Sequence, residues 1–491
     1  MTEKKEQFAI AVFSILFILL LSNSTSPLFR WYEISIDPAW YEVIGRNWLE
    51  GRLPYRDLFD HKGPLLYAIN ALGYLITGNR YGIMLIQIPC IFFSITYSLL
   101  MLRIEYNRKQ AVCLSAIVFI CLLPAYCDGD NDEEYALPFL FASYYYGYLF
   151  LKRYSSTGCT DFNVYIPFIF GISLGVCFMT VITNATGVCA FAVGIAIILI
   201  KQKEWNNLAK AIALFICGVA VVAVPFFIYF AVKNALSDLW YGFWTFSVKY
   251  AKDFKGGLTI SLNSLLVYSW PWLLVATTLA SCATNKKNRI IRIPFLLAGI
   301  ASAVYFVFTA GPLHYPMTTI PYIAIILNII KFDSSTNAKA LVKAQHGILA
   351  LVFILNAYCG AKVAYSSLLA NSLITSEQKR LSVKPFIRQL YDMLSIIPPN
   401  EQNEILEVNC SPTLYMFCDA RPPYRNFSDQ TFHSLLDPNM RRTILNDFRH
   451  GSAKWIIINS YPSDRELLGI IQERYTLIKK HKNLSLYKIR K

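Results

Sequence analysis

The sequence predicts a polytopic α-helical membrane protein of about eleven spans that carries a small C-terminal α/β domain. Three observations predict it. The 491 residues are 55% hydrophobic and only 16% charged, too apolar a balance for an ordinary soluble chain. Apolar runs of roughly 18–22 residues recur between short charged loops, the length a helix needs to cross hydrocarbon. From about Asn371 the composition changes to that of a soluble domain. The aromatic content of 15% suits rings placed at the headgroup boundary. A net charge of +15 would suggest nucleic acid in a soluble protein. Here much of the excess is Lys and Arg in short loops, the positive-inside signature. No nucleic-acid-binding motif accompanies it, so nucleic acid is not an expected partner.

In chain order, MTEKKEQ followed by Phe8 to Leu21 has the basic and apolar parts of a signal peptide without a clear cleavage site, which predicts an uncleaved signal anchor. A charged stretch follows, and then Gly63 to Thr77, too short for a comfortable span and suited to an interfacial helix. Further spans are expected over Ile83 to Leu102, Ala111 to Pro124 and Tyr135 to Leu151. A hairpin over Val164–Ile200 supplies two more, and Leu208 to Val232, Leu258 to Ala280, Pro294 to Ala310, Tyr315 to Ile330 and Gly347 to Leu369 complete the set. With Gly63 to Thr77 left at the interface, every strongly basic short loop falls on one side; inserting it would break that pattern. The N-terminus is therefore expected inside and the C-terminus outside.

Residues 1–369 are thus expected to form the membrane domain, including a first outer loop over 30–80, and residues 370–491 an extracytoplasmic α/β domain. In the tail, EILEVN (Glu404 to Asn409) and KWIIIN (Lys454 to Asn459) read as buried strands. Helices are expected over Arg388 to Ile396, Met440 to Phe448 and Arg465 to Arg474, and TLIKKHKNLSLYKI alternates like a closing hairpin. The twelve cysteines are scattered and no C-x-x-C occurs, so neither a zinc ribbon nor a redox motif is supported. Cys410 and Cys418 could pair outside the cell.

The stretch with the densest chemistry is Asp37 to Tyr67, DPAWYEVIGRNWLEGRLPYRDLFDHKGPLLY. Its charges cannot lie in hydrocarbon, where an ionised side chain costs about 2.5–3.5 kcal/mol or more. Asp37 opens it, and Asp60, His61 and Lys62 close it just before the short helix. A second outer loop carries Asp128, Asp130, Asp132, Glu133 and Glu134, and His314 joins two late spans.

An early Asp in a first outer loop, a later PYRDLFDHKGP, an interfacial helix and a second-loop EEYALP resemble the GT-C superfamily. More narrowly they are similar to bacterial relatives of the protein O-mannosyltransferases and aminoarabinose transferases, the glycosyltransferase family 39 type. The resemblance covers about residues 1 to 369. It implies a cell-envelope glycosyltransferase of the cytoplasmic membrane that takes a sugar from a polyprenyl-phosphate donor and inverts its anomeric centre. The acceptor would be a glycan, lipid or protein. Asp37 occupies the position of the general base, which an attacking hydroxyl requires. Lys62 stands where the family's loop lysine contacts the donor phosphate, and Arg56 and Arg46 are weaker candidates for the same role. Asp60, Glu133 and Glu134 would support the loop or orient the acceptor. His61 departs from the pattern, in which an acidic residue commonly precedes the lysine. His61 and His314, with Asp60, could instead hold a divalent metal, the one cofactor these groups suggest.

Plainer readings stand beside these. Asp37 before Pro38 suits a helix cap, Lys62 a snorkelling lysine, and Asp128 and Asp130 a solvated turn. Trp240, Tyr241, Phe243, Trp244 and Phe246 read as an interfacial belt rather than a sugar platform. A lipid-linked glycan polymerase or ligase, or a transporter or flippase, are the rival functions. Transport fits less well, because ionisable groups sit at the ends of the spans rather than at their midplane.

Overall fold

Apolar runs fold as helices in a membrane because a helix satisfies its own backbone hydrogen bonds. The computed structural model describes residues 3–29, 36–126, 128–253, 261–284, 289–309, 311–333, 339–371, 385–410, 412–418, 420–459, 464–481 and 484–490. Two compact units emerge. One comprises Met1–Ser22, Met84–Ile228 and Lys255–Leu368; the other comprises Asn23–Ile83, Tyr229–Phe254 and Leu369–Lys491.

The first unit contains α1 (Glu3–Leu21) and most of α4 (Tyr81–Leu102), followed by α5 (Arg108–Leu122), α6 (Asp132–Thr157), α7 (Tyr165–Met179) and α8 (Thr186–Lys201). Most of α9 (Trp205–Val232) belongs to it, as do α13 (Trp270–Thr284), α14 (Arg289–Thr309), α15 (Pro321–Asp333) and most of α16 (Lys339–Asn371). Among the described residues, seven helical segments are long and apolar enough to cross a membrane: Tyr81–Leu102, Arg108–Ala125, Ile182–Lys201, Trp205–Val232, Arg289–Thr309, Tyr315–Phe332 and Gln345–Tyr365. The other four expected spans correspond to α1, α6, α7 and α13, which are shorter or more polar. In the packing of α8 on α14, a Cβ at Gly194 would lie 2.4 Å from the Pro294 Cα, so only glycine permits the approach. At the basic end of the helices, the buried Glu6 carboxylate takes both Arg103 and Arg108, and Lys152 Nζ lies 2.9 Å from Glu105.

The second unit starts with α2 (Ile36–Leu49) and α3 (Pro64–Thr77), a close antiparallel-type pair in which Gly45 leaves no room for a Cβ, 2.7 Å from the Ala71 nitrogen. Its middle segment runs α10 (Leu236–Leu239), a π-helical turn over Trp240–Phe246, and α11 (Ser247–Asp253). A short α12 (Leu262–Val267) lies in the first unit. The tail holds α17 (Pro385–Leu394), α18 (Leu414–Phe417), α19 (Gln430–Leu436), α20 (Pro438–His450) and α21 (Arg465–Arg474). Strands β1 (Ile405–Val408), β2 (Trp455–Ile458), β3 (Tyr475–Lys480) and β4 (Ser485–Ile489) form one sheet in the order β1-β2-β4-β3. β1 and β2 are parallel, and the β3–β4 hairpin closes the sheet antiparallel to β2. The continuous runs ILEV and WIII are buried along their whole length, as strands covered on both faces must be.

The units cut across the expected blocks 1–369 and 370–491, because the first loop packs with the tail. Phe59 and Phe246 lie in the same buried core as Leu406, Val408, Ile456 and Phe448. The Phe59 amide donates to the Arg425 carbonyl at 2.9 Å, and Arg52 donates to the Pro422 carbonyl at 2.7 Å. The aromatic run is accordingly not a simple interfacial belt. Trp240 is exposed, but Phe246 is fully buried and Tyr241 hydrogen-bonds Asp437. Cys410 and Cys418 remain thiols; their sulfurs donate to the Ile457 and Leu414 carbonyls respectively.

Candidate active site

In the second unit the loop between α2 and α3 is strapped rather than free. Tyr55 adopts a left-handed conformation (φ 69°), and a Cβ at Gly242 would lie 2.2 Å from its ring. Its hydroxyl donates to the Lys62 carbonyl at 2.7 Å, and the Tyr67 hydroxyl, one turn into α3, reaches the same oxygen at 3.3 Å. Ser247 donates to the His61 carbonyl at 2.7 Å. The Tyr55 and Ser247 bonds thus fix the backbone of His61 and Lys62 just ahead of Gly63, the N-cap of α3.

Asp60 is buried and well partnered. It accepts the His61 amide at 2.7 Å and the Tyr67 hydroxyl at 2.8 Å, with the His61 Nδ1 3.3 Å away. Burial alone would raise its carboxyl, but the hydrogen bond and charge of His61, and then Tyr67, outweigh burial and hold it below the usual carboxylate range. The His61 ring lies over Tyr250, with centroids 4.6 Å apart. Asp37 is half-buried in the first turn of α2, which begins at Ile36, so it stands inside the helix rather than at a cap before Pro38.

Two further residues of this cluster escaped the sequence reading. Tyr250 on α11 feels Lys62, Asp37, Asp60 and Asp429 together; burial raises its hydroxyl, Lys62 opposes that, and the three carboxylates add to it. Asp429 comes from the tail, immediately before α19, in a left-handed conformation (φ 49°) and without a capping hydrogen bond from its side chain. Burial, then Asp60 and Asp37, push the Asp429 carboxyl up to about 6, against the charge of His61. Four residues into the tail's helix, buried His433 packs edge-on against Phe59 and Phe246 at 5.4 and 5.5 Å. No motif marks Asp429 in the sequence; only the packing of α19 on the loop reveals it.

Arg56 and Arg46 are placed differently from a phosphate ligand. Arg56 pairs with Asp238 at 3.0 Å and donates to the carbonyls of Lys233 and Asn234, and Arg46 donates to the Ala420 carbonyl at 3.1 Å. Both are structural ties within the unit.

The first unit holds the remaining candidates. At the start of α6, Asp132 and Glu133 meet His314, which precedes the turn Tyr315–Thr319 leading into α15. The His314 Nδ1 lies 2.9 Å from the Glu133 Oε2, and one ligand atom from each of the three falls within 4.8 Å of the others. All three are buried. Two carboxylates and an imidazole fit a divalent cation with open positions. Glu134 is used up in holding its own loop, accepting Tyr126 at 2.7 Å, Gln87 at 2.9 Å and the Asp130 amide at 3.0 Å. Asp130 is not part of a solvated turn: it is fully buried and accepts the Tyr135 hydroxyl.

No curated protein sequence matches this chain. Among solved structures, ArnT from Cupriavidus metallidurans bound to undecaprenyl phosphate superimposes with a TM-score of 0.57 at 12% identity, over 98% of this chain and 97% of that one. The same protein in its apo state gives 0.57 and 12% over 98% and 96%. The oligosaccharyltransferase of Archaeoglobus fulgidus gives a TM-score of 0.48 at 14% identity, over 96% of this chain and 73% of that one. The chain therefore shares the fold of ArnT over nearly the whole of both chains. Residues 1–360 match the family described as "Putative competence-induced protein Ccs4 N-terminal domain", and the chain belongs to that family.

Proposed function

We propose that this protein is an integral-membrane glycosyltransferase that moves a sugar from a polyprenyl-phosphate donor to an acceptor hydroxyl on the outer face of the membrane. The observation that carries the reading is the cluster around Tyr250, where the carboxylates Asp37, Asp60 and Asp429 stand with Lys62 and His61 on a strapped loop. The fold it shares with ArnT, a protein that binds undecaprenyl phosphate, supports the same donor class.

In this reading Asp37 takes the proton of the acceptor hydroxyl as that oxygen attacks the anomeric carbon. The bond to the lipid phosphate breaks from the opposite face, which inverts the centre, and Lys62 meets the charge that grows on the departing phosphate. Asp60 acts through His61 and the loop backbone. A divalent ion held by Asp132, Glu133 and His314 would supply fixed positive charge. The same reading assigns residues 1–369 to a membrane domain that includes the first outer loop, and residues 370–491 to an extracytoplasmic domain.

The test supplies membranes containing the protein, and membranes lacking it, with a panel of polyprenyl-monophosphate and polyprenyl-diphosphate sugars and a crude acceptor pool. Release of polyprenyl phosphate that requires the protein, with sugar recovered on the acceptor as the inverted anomer, is expected. Release confined to polyprenyl diphosphates would instead establish the polymerase or ligase.

A further inference from the structure

The first unit contains a cavity of about 270 Å³ between the end of α6, the start of α7, the second half of α8 and the start of α9. Phe150, Ile166, Phe170, Ala196 and Phe215 line it, and no lining residue is charged. Val193 and Ile212, also in the lining, are 56% and 51% exposed, so the cavity opens sideways on a face that the membrane reading gives to lipid. It is separate from the acidic trio. Phe150 lies eighteen residues along α6 from Asp132, which is about 27 Å at the helical rise.

The helix ends around this cavity are basic. Lys201 closes α8, Lys203 sits in the turn with a left-handed backbone (φ 62°), and Lys210 lies in the first turns of α9 beside the lining residues Leu208 and Ala211. All three are exposed, and none makes an ion pair among the described residues. Arg153 adds a fourth exposed cation; Asp161 and Glu204 offset two of the four, and Lys152 is spent on Glu105.

We propose that this cavity holds one acyl chain of an anionic phospholipid whose headgroup rests on Lys201, Lys203 and Lys210. An alkyl chain gains little by leaving the bilayer for an apolar cavity, because lipid tails are as apolar as the lining. Selection therefore falls to the headgroup, and a net positive rim selects negative charge. The bound lipid would fill the space between α8 and the α7–α9 pair, which already packs closely where a Cβ at Gly171 would lie 2.0 Å from the Phe215 carbonyl oxygen.

The test delivers phosphatidylglycerol or phosphatidylcholine to the delipidated full chain and counts retained lipid by native mass spectrometry. Wild type is expected to retain one phosphatidylglycerol and to lose phosphatidylcholine. The triple variant Lys201→Ala, Lys203→Ala, Lys210→Ala should retain phosphatidylglycerol roughly tenfold to hundredfold less well, and Ala196→Trp, which fills the cavity, should retain none. Ala192→Leu serves if the tryptophan variant does not fold. Equal retention of the two lipids, unchanged retention in the lysine variant, or displacement by an equal amount of undecaprenyl phosphate would each overturn the proposal. None of these outcomes depends on transferase activity.

Discussion

The loop cluster of Asp37, Asp60, His61, Lys62 and Asp429 keeps its charges mixed in sign, and Asp37, His61 and Asp429 are only half-buried. The trio of Asp132, Glu133 and His314 is fully enclosed, with two carboxylates and an imidazole and no lysine or arginine among its members. Solvent access lets protons and charged substrates come and go, so the first arrangement suits turnover. Enclosure makes an uncompensated charge expensive, so the second suits a resident cation. The two carboxylate-bearing clusters thus differ in both burial and charge balance.

This contrast can be broken experimentally. Lys62→Ala should lower turnover by about 10²–10³-fold by removing charge from the leaving phosphate, while leaving bound metal unchanged. Glu133→Gln and His314→Ala should do the reverse at the level of metal, removing the bound divalent ion detected by elemental analysis of the purified protein; metal retained by both variants would count against the trio. Asp429→Asn tests the half-exposed character of the loop. The Asp429 carboxyl is raised in the folded protein to about 6. Its contribution to stability is therefore present below its unfolded value near 4 and is lost as pH rises through about 6. The asparagine variant should be more stable than wild type above pH 7, on the order of 1 kcal/mol after allowance for solvent screening, and no different at pH 3.5; thermal unfolding at the two pH values checks it. Arg56→Ala should have the smallest effect. Its pair with Asp238 is partly exposed, which limits the loss of stability to about 1 kcal/mol, and turnover should stay at the wild-type level.

Much of this was legible in the sequence. The runs that read as spans become helices, and the tail's ILEV and WIII become neighbouring buried strands, because continuous apolar runs bounded by turn residues leave few alternatives. The short Gly63–Thr77 segment is a single helix, as its Gly-Pro start and the left-handed Gly78 at its end require. Asp60, His61 and Lys62 fall together because they are consecutive. What the sequence hid depends on contacts between distant segments. Phe59 entering the tail's core, Arg56 spent on the turn at 233–238, and Asp429 joining the loop each link residues roughly 180 to 400 or more apart, and no local period encodes such pairings. Asp128 and Asp130 read as a solvated turn because charge usually marks surface; the Tyr135 hydroxyl that Asp130 accepts carries no motif.

The most direct test of the central claim is polyprenyl phosphate release by Asp37→Asn beside wild type, both reconstituted in vesicles and matched for folded protein. Release by the variant should fall by at least about 10²-fold, the usual worth of a general base, with bound metal unaltered. Release by Asp37→Asn at the wild-type rate would contradict it and move the chemistry away from the loop cluster.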